Sequence, residues 1–116
     1  MPLVIVDGPT IAAGESLSDG ADCTGGSIVR ITIPQEFTEA NLTFQASSDG
    51  NFFNDLYDTD GNEVTLPVKA NTTVVIGADW TRALGWVKLR SGTRGNPVPQ
   101  KVVCKLAIAV ETSPGA

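Results

Sequence analysis

Apolar and polar residues alternate with a period of two through most of this chain, the repeat of an extended strand with one dry face and one wetter one. Residues 27–33, SIVRITI, set Val29, Ile31 and Ile33 against Arg30 and Thr32. Residues 41–47, NLTFQAS, set Leu42, Phe44 and Ala46 against Thr43, Gln45 and Ser47. In residues 84–92, Val87 and Leu89 oppose Trp86, Lys88 and Arg90, and residues 100–112 align Val102, Cys104, Leu106, Ile108 and Val110. Shorter runs at 3–6, 10–13, 52–57, 63–68 and 72–76 read as further strands, with Gly, Pro, Asn and Asp filling the intervals. No window carries a helical stripe, and a turn over residues 34–40, behind the strand-stopping Pro34, is the one helical candidate. The pattern predicts an all-β fold, an antiparallel two-sheet β-sandwich of jelly-roll-like character. The expected organisation is a single domain over residues 1–116, with 1–8 as an N-terminal arm or an edge strand.

Two Asp-Gly pairs, Asp49-Gly50 and Asp60-Gly61, interrupt the alternation, and Asp55, Asp58 and Glu63 crowd the second. A calcium loop with Gly61 at its sixth position would need ligands at Leu56 and Pro67, which cannot serve. An irregular oxygen cage from Asp55, Asp58 and Asp60 is the remaining metal reading. A carboxylate pair for glycoside hydrolysis would need an enclosed cleft rather than an exposed hairpin. The favoured reading is structural: glycine supplies positive φ, so each pair forms a two-residue type I′ turn, and three strands run as a meander. No metal ligand, cofactor-binding residue or catalytic residue is assigned.

Composition narrows the chemistry. The chain has no histidine, the commonest general base and metal ligand, and an enzyme is not expected. Its two cysteines, Cys23 and Cys104, are too few for a disulfide framework or a four-thiolate site and read as free thiols, with a single bridge as the alternative. No apolar run is long enough to span a membrane, and residues 3–6 are too short for a signal-peptide core, so the chain is expected to stay in the compartment where it is made or to leave it by a route other than secretion. Charge is lopsided: residues 1–68 hold eleven acids against one base, Arg30, while residues 69–116 hold seven bases against two acids. Either acidic and basic strands interleave and neutralise each other, or the particle is polarised and steers a basic face onto an acidic partner. The bases are neither consecutive nor interleaved with stacking aromatics, so nucleic acid is not an expected partner.

Three segments in order resemble small β-sandwich virion proteins of tailed bacteriophages. They are the I-x-x-G-x-S-L-S-D opening at residues 11–19, the A-N-L-T-F-Q-x-S-x-D-G-x-x-F-N-D-L-Y-D centre at 40–58, and the V-K-L-R-S-G-T ending at 87–93, continued by P-V-x-Q at 97–100. The likeness covers about residues 10–100. It implies a structural protein of the virion made in the host cytoplasm, with capsid decoration, or cement, the function most closely suggested. Such a protein binds the outer head surface, staples neighbouring major capsid subunits and sits on the lattice as a dimer or trimer. The alternatives are a tail or fibre component and a carbohydrate-binding adhesion module, whose aromatic platform would draw on Trp80, Trp86 and Tyr57. The family brings no catalytic residue and no cofactor.

An interface is richer in aromatics and Arg than the rest of a surface. On that basis the candidate contact residues are Trp80, Arg82, Trp86, Lys88, Arg90 and Arg94, with Leu3, Val4 and Ile5 able to add a strand to a neighbour. The competing reading makes Trp86 a sandwich core residue, Trp80 a loop plug and residues 3–5 an ordinary edge strand.

Overall fold

The computed structural model describes residues 3–82 and 84–112. In chain order the strands are β1 (Leu3–Val6), β2 (Thr10–Ile11), β3 (Ala21–Asp22), β4 (Gly26–Ile33), β5 (Leu42–Ser47) and β6 (Asn54–Asp55). They continue as β7 (Thr65–Leu66), β8 (Thr72–Val75), β9 (Trp86–Ser91), β10 (Cys104–Lys105) and β11 (Ala107–Thr112), with a 3₁₀ turn at Asp79–Arg82 between β8 and β9. Met1 and Pro2, at the start of the expected arm, lie outside the described residues. Residues 3–6 form an edge strand.

Every pairing between named strands is antiparallel. One sheet runs β1-β11-β4-β8, a second runs β3-β9-β5-β6 with β7 also on β5, and β10 pairs β2 in a small ribbon. The sheets pack together through one apolar cluster: Ile28, Ile31, Ile33, Ile108 and Val110 from the first, and Leu42, Phe44, Val87 and Leu89 from the second. Ile11, Cys104 and Leu106 join the same cluster from around the ribbon. The fold is therefore an all-β sandwich, as the alternation predicts.

Some strand faces differ from the expected pattern. In β4, Ala109 lies opposite Arg30 but Val110 lies opposite Ile28, so Val29 is the extra residue of a β-bulge. The bulge turns Ile28 into the core in place of Val29, whose carbonyl accepts the Ile76 N–H at 3.0 Å. Thr43, Ser47 and Arg90, expected in solvent, are all buried. Thr43 donates its hydroxyl to the Gly92 carbonyl at 2.8 Å, and the Ser47 hydroxyl oxygen accepts the Gly50 N–H at 2.9 Å. Loops cover this side of the second sheet, so polar residues are buried with partners rather than hydrated. Val102 precedes β10 and is 48% exposed, outside the inward row expected for it. β3 forms in a stretch that reads as loop. Residues 34–40 make a turn, with Phe37 N–H donating to the Pro34 carbonyl, and the 3₁₀ turn forms elsewhere.

The two Asp-Gly pairs are turns, but neither is type I′, which needs positive φ at both central residues. Gly50 and Gly61 have φ of 81° and 83°, whereas Asn71 is the only described non-glycine residue with positive φ. At the second pair the Asp58 N–H donates to the Asn62 carbonyl at 2.8 Å and the Gly61 N–H to the Asp58 carbonyl at 3.1 Å. This is a three-residue loop with a glycine bulge. The Asp58 carboxylate fixes it by accepting the Asp60 and Asn62 N–H groups, both at 2.9 Å. The strands do not form a meander either. β6 pairs with the C-terminal part of β5 and β7 with its N-terminal part, both on the edge that β9 leaves free. Between them Tyr57 bridges Glu63 at the base of the loop.

A Cβ added at Gly61 would meet nothing within 4 Å, which leaves backbone strain as the only cost of a side chain there. Gly61→Val should lower the unfolding free energy by about 1–3 kcal/mol. Asp60→Asn should change it by less than about 0.5 kcal/mol. Urea titration of the two variants checks both figures, and equal losses would contradict the backbone assignment.

Candidate interaction surface

Directly paired residues in an antiparallel sheet share a face, so the register of the first sheet defines its outer surface. One row reads Ile5–Ala109–Arg30–Val75, another Leu3–Glu111–Ser27, and a third Ala107–Thr32–Thr73. The charged members of these rows are Arg30 and Glu111 alone. Leu3, Ile5 and Val75 are 51%, 57% and 80% exposed. An antiparallel sheet with one face on a core normally shows polar residues on the other, and Arg30, Ser27, Glu111, Thr32 and Thr73 keep to that pattern. The exposed large apolar side chains lie on the two edge strands, Leu3 and Ile5 on β1 and Val75 on β8, with the buried Ala109 and with Arg30 between Ile5 and Val75. β1 pairs with β11 on one side, and its other edge has no partner among the described residues. Its four residues, Leu-Val-Ile-Val, include none of the charges or prolines that usually protect an exposed edge.

Leu3, Val4 and Ile5 therefore lie on an open surface, while the other six candidate residues form no single exposed patch. Trp80 is a core plug: its ring centroid lies 4.8 Å from that of Phe44, and the indole is half-buried. Trp86 is also half-buried, on the side of β9 away from Val87 and Leu89, beneath the loop that follows β5. A Cβ at Gly50 would come within 2.9 Å of its ring, so glycine there lets the loop close over the indole. Lys88 places Nζ 4.6 Å from the Phe53 ring centroid, a cation–π contact. The Arg82 side chain is 71% exposed and lies 3.3 Å from the Asp79 carboxylate.

Arg90 is buried, which removes it from any surface patch. Its Nη1 and Nη2 both donate to Asp55 Oδ1, and Nη1 lies 3.9 Å from Glu63 Oε2. Arg94 closes the group from outside, with Nε 3.4 Å from Asp55 Oδ2 and its backbone N–H donating to Glu63 Oε2 at 3.0 Å. Arg90 Nε is buried with no hydrogen-bond partner among the described residues. The acids come from residues 1–68 and the arginines from residues 69–116. Lys105 and Asp7 pair across the same divide at 2.8 Å. Three of the eleven acids, Asp7, Asp55 and Glu63, are thus paired with Arg90, Arg94 and Lys105, so the lopsided charge is neutralised in part.

This network also redistributes the acids around the second Asp-Gly pair. Asp55 faces two arginines and Asp58 caps a loop. Among the described residues no group of three or more His, Cys, Asp or Glu side chains gathers as a metal site. At the first pair, the Phe52 and Asn51 N–H groups and the Ser47 hydroxyl hold the Asp49 carboxyl below its ordinary pKa. Cys23 and Cys104 are free and buried. Desolvation, with Asp22 adding to it, pushes the Cys23 thiol up to about 11, and burial also raises Cys104. Both are poor nucleophiles at neutral pH.

Two features escape the sequence pattern. Val75 is one of three consecutive apolar residues, Val74, Val75 and Ile76; a strand must turn one of them outward, which is the available signal. Gln100 is almost fully buried, accepting the Thr38 N–H at 2.7 Å and donating to the Thr38 carbonyl at 3.2 Å. Its position among loop prolines gives no sign of that burial. No known family model matches the chain, and no characterised protein shows significant sequence similarity to it.

Proposed function

We propose that this chain is a structural protein of a tailed-bacteriophage virion, a capsid decoration protein that binds the outer surface of the head and staples neighbouring major capsid subunits. The resemblance of residues 10–100 supplies the class, and the all-β sandwich is compatible with it; a jelly-roll order of strands belongs to the same reading. The observation that carries a binding role is the set of large apolar side chains exposed on the edge strands of the first sheet, Leu3 and Ile5 on β1 and Val75 on β8, with β1 open at its edge. Large apolar side chains exposed together along one strand, as Leu3, Val4 and Ile5 are, mark a place where a larger partner docks. An open strand edge adds backbone hydrogen bonds to such a contact.

Stabilisation would be cumulative. A ligand that binds only the assembled lattice raises its stability by mass action, so each copy need contribute only modestly. A dimer or trimer at a symmetry axis would multiply the contacts per copy.

The test uses DNA-filled heads lacking the protein. Saturable binding is expected, with treated heads surviving heating that opens bare heads. Ile5→Glu and Val75→Glu should each weaken binding by roughly tenfold or more while leaving the melting temperature of the free protein nearly unchanged. Failure to bind heads, or binding untouched by both substitutions, would overturn the proposal. Labelling on intact particles separates a head location from a tail or fibre one.

A further inference from the structure

Away from that face, the loop between β6 and β7 meets the 3₁₀ turn. Leu56, Tyr57, Asp58 and Thr59 on one side and Asp79 and Trp80 on the other line an open depression of about 410 Å³. Residues twenty or more positions apart in sequence thus place two aromatic rings and two carboxylates around one hollow. We infer that this depression is a binding site for a neutral sugar, one pyranose unit of a glycan.

The chemistry of the lining selects that ligand. A pyranose has an apolar C–H face that packs on aromatic rings and an equatorial rim of hydroxyls that donate to carboxylates. Tyr57 is 44% exposed and Trp80 half-buried, so each has ring surface left for a ligand. The Trp80 ring is held by its packing on Phe44, and the backbone that carries Tyr57 is pinned by its bridge to Glu63. Asp58 is fixed through Oδ1 by two backbone N–H groups, which leaves Oδ2 to accept a hydroxyl. The Asp79 side chain is fully exposed, and Thr59 adds a hydroxyl. A cationic ligand is less well suited, because Arg82 lies 3.3 Å from Asp79 and offsets its charge. The hollow is open rather than enclosed, so a sugar can enter it while still joined to a chain. None of the lining residues belongs to the outer rows of the first sheet, so a copy docked through that sheet leaves the hollow accessible.

The test titrates the full chain with the methyl glycosides of glucose, galactose, mannose and rhamnose, with N-acetylglucosamine, and with tetramethylammonium as the cationic probe. Tryptophan fluorescence and saturation-transfer NMR report binding. At least one sugar should bind saturably in the millimolar range expected for a ligand of this size. Tyr57→Ala should abolish the signal, and Asp79→Ala should weaken it about tenfold, the effect of losing a hydrogen bond to a charged group. Both changes lie on exposed side chains and should leave the fold intact; Trp80 is avoided because it packs on Phe44. No saturable response from any sugar, a response that survives in both variants, or a preference for tetramethylammonium over every sugar would overturn the inference. Tyr57→Ala should still bind heads, so failure of the sugar site and failure of the decoration role are told apart.

Discussion

Replacing Arg90 by Met should lower the unfolding free energy by about 3–5 kcal/mol, the cost of removing one partner from a buried ion pair. The side chains left behind, Asp55 and Glu63, are only 17% and 16% exposed, so neither is fully rehydrated when the guanidinium goes. Arg94 cannot replace it, because its own side chain is 66% exposed and reaches Asp55 from the solvent side. For a domain of this length the loss corresponds to a fall in melting temperature on the order of 10–20 °C. Arg90→Lys should recover only part of it, since an ammonium lacks the planar fork whose two arms both reach Asp55. Removing all the charges together should be gentler than removing Arg90 alone. A triple variant, Arg90→Met with Asp55→Leu and Glu63→Leu, leaves no unpaired buried charge and should regain most of the stability. A loss below about 1 kcal/mol for Arg90→Met would mean that the network behaves like an exposed surface pair.

The position of the network explains why its loss should be felt beyond Arg90. β6 and β7 are two residues each, too short to hold the intervening loop by their own ladders. Asp55 lies in β6 and Glu63 bridges Tyr57 just before β7, and both converge on an arginine near the C-terminal end of β9. The ion group therefore ties the excursion between β6 and β7 to the second sheet. The same excursion supplies Tyr57 and Asp58 to the proposed sugar site, so a loosened tie would blur that site as well as weaken the fold.

The inward row of nearly every long strand was legible in the sequence. Ile31, Ile33, Leu42, Phe44, Val87, Leu89, Cys104, Leu106, Ile108 and Val110 are all buried, because period-two apolar residues facing a common core carry their own signal. The opposite faces were not legible, for two different reasons. On the second sheet, Thr43, Ser47 and Arg90 are polar in sequence whether water or a folded loop covers them, and only the tertiary fold decides which. On the first sheet, Ile5 and Val75 lie far apart in sequence, and only the register shows that they share an outer row through Ala109 and Arg30. The bulge at Val29 was invisible because two neighbouring apolar residues, Ile28 and Val29, compete for one inward position. The scattered contact set has a similar origin: Trp and Arg suggest an interface by type, but Trp80 and Arg90 use the same chemistry inside the protein.

A second large effect should follow from one methyl group. Gly92→Ala is expected to cost about 3–5 kcal/mol, combining left-handed backbone strain with overpacking against backbone. Gly92 has φ of 90°, and a Cβ there would lie 2.5 Å from the Asn96 carbonyl oxygen, 2.7 Å from the Val98 nitrogen and 2.9 Å from Pro97 Cα. None of these can swing aside as a side-chain tip would. The Val98 N–H donates to the Ser91 carbonyl at 2.8 Å, and the Asn96 carbonyl accepts the Thr93 N–H at 3.2 Å. Gly92 is pinned too: its N–H donates to the Asn41 carbonyl at 2.7 Å and its carbonyl accepts the buried Thr43 hydroxyl. Relief of the clash would thus break hydrogen bonds on both sides of the loop and uncover the end of β5. Gly95→Ala is the control, because Gly95 lies in the same loop with no positive φ and nothing within 4 Å of its added Cβ. It should change stability by less than about 1 kcal/mol. Urea unfolding measures the difference, and amide exchange should show the loss of protection beginning at Gly92 and Val98. Equal costs at the two glycines would mean that the loop can move, and that its close backbone approach to the end of β9 is not what holds this end of the sandwich shut.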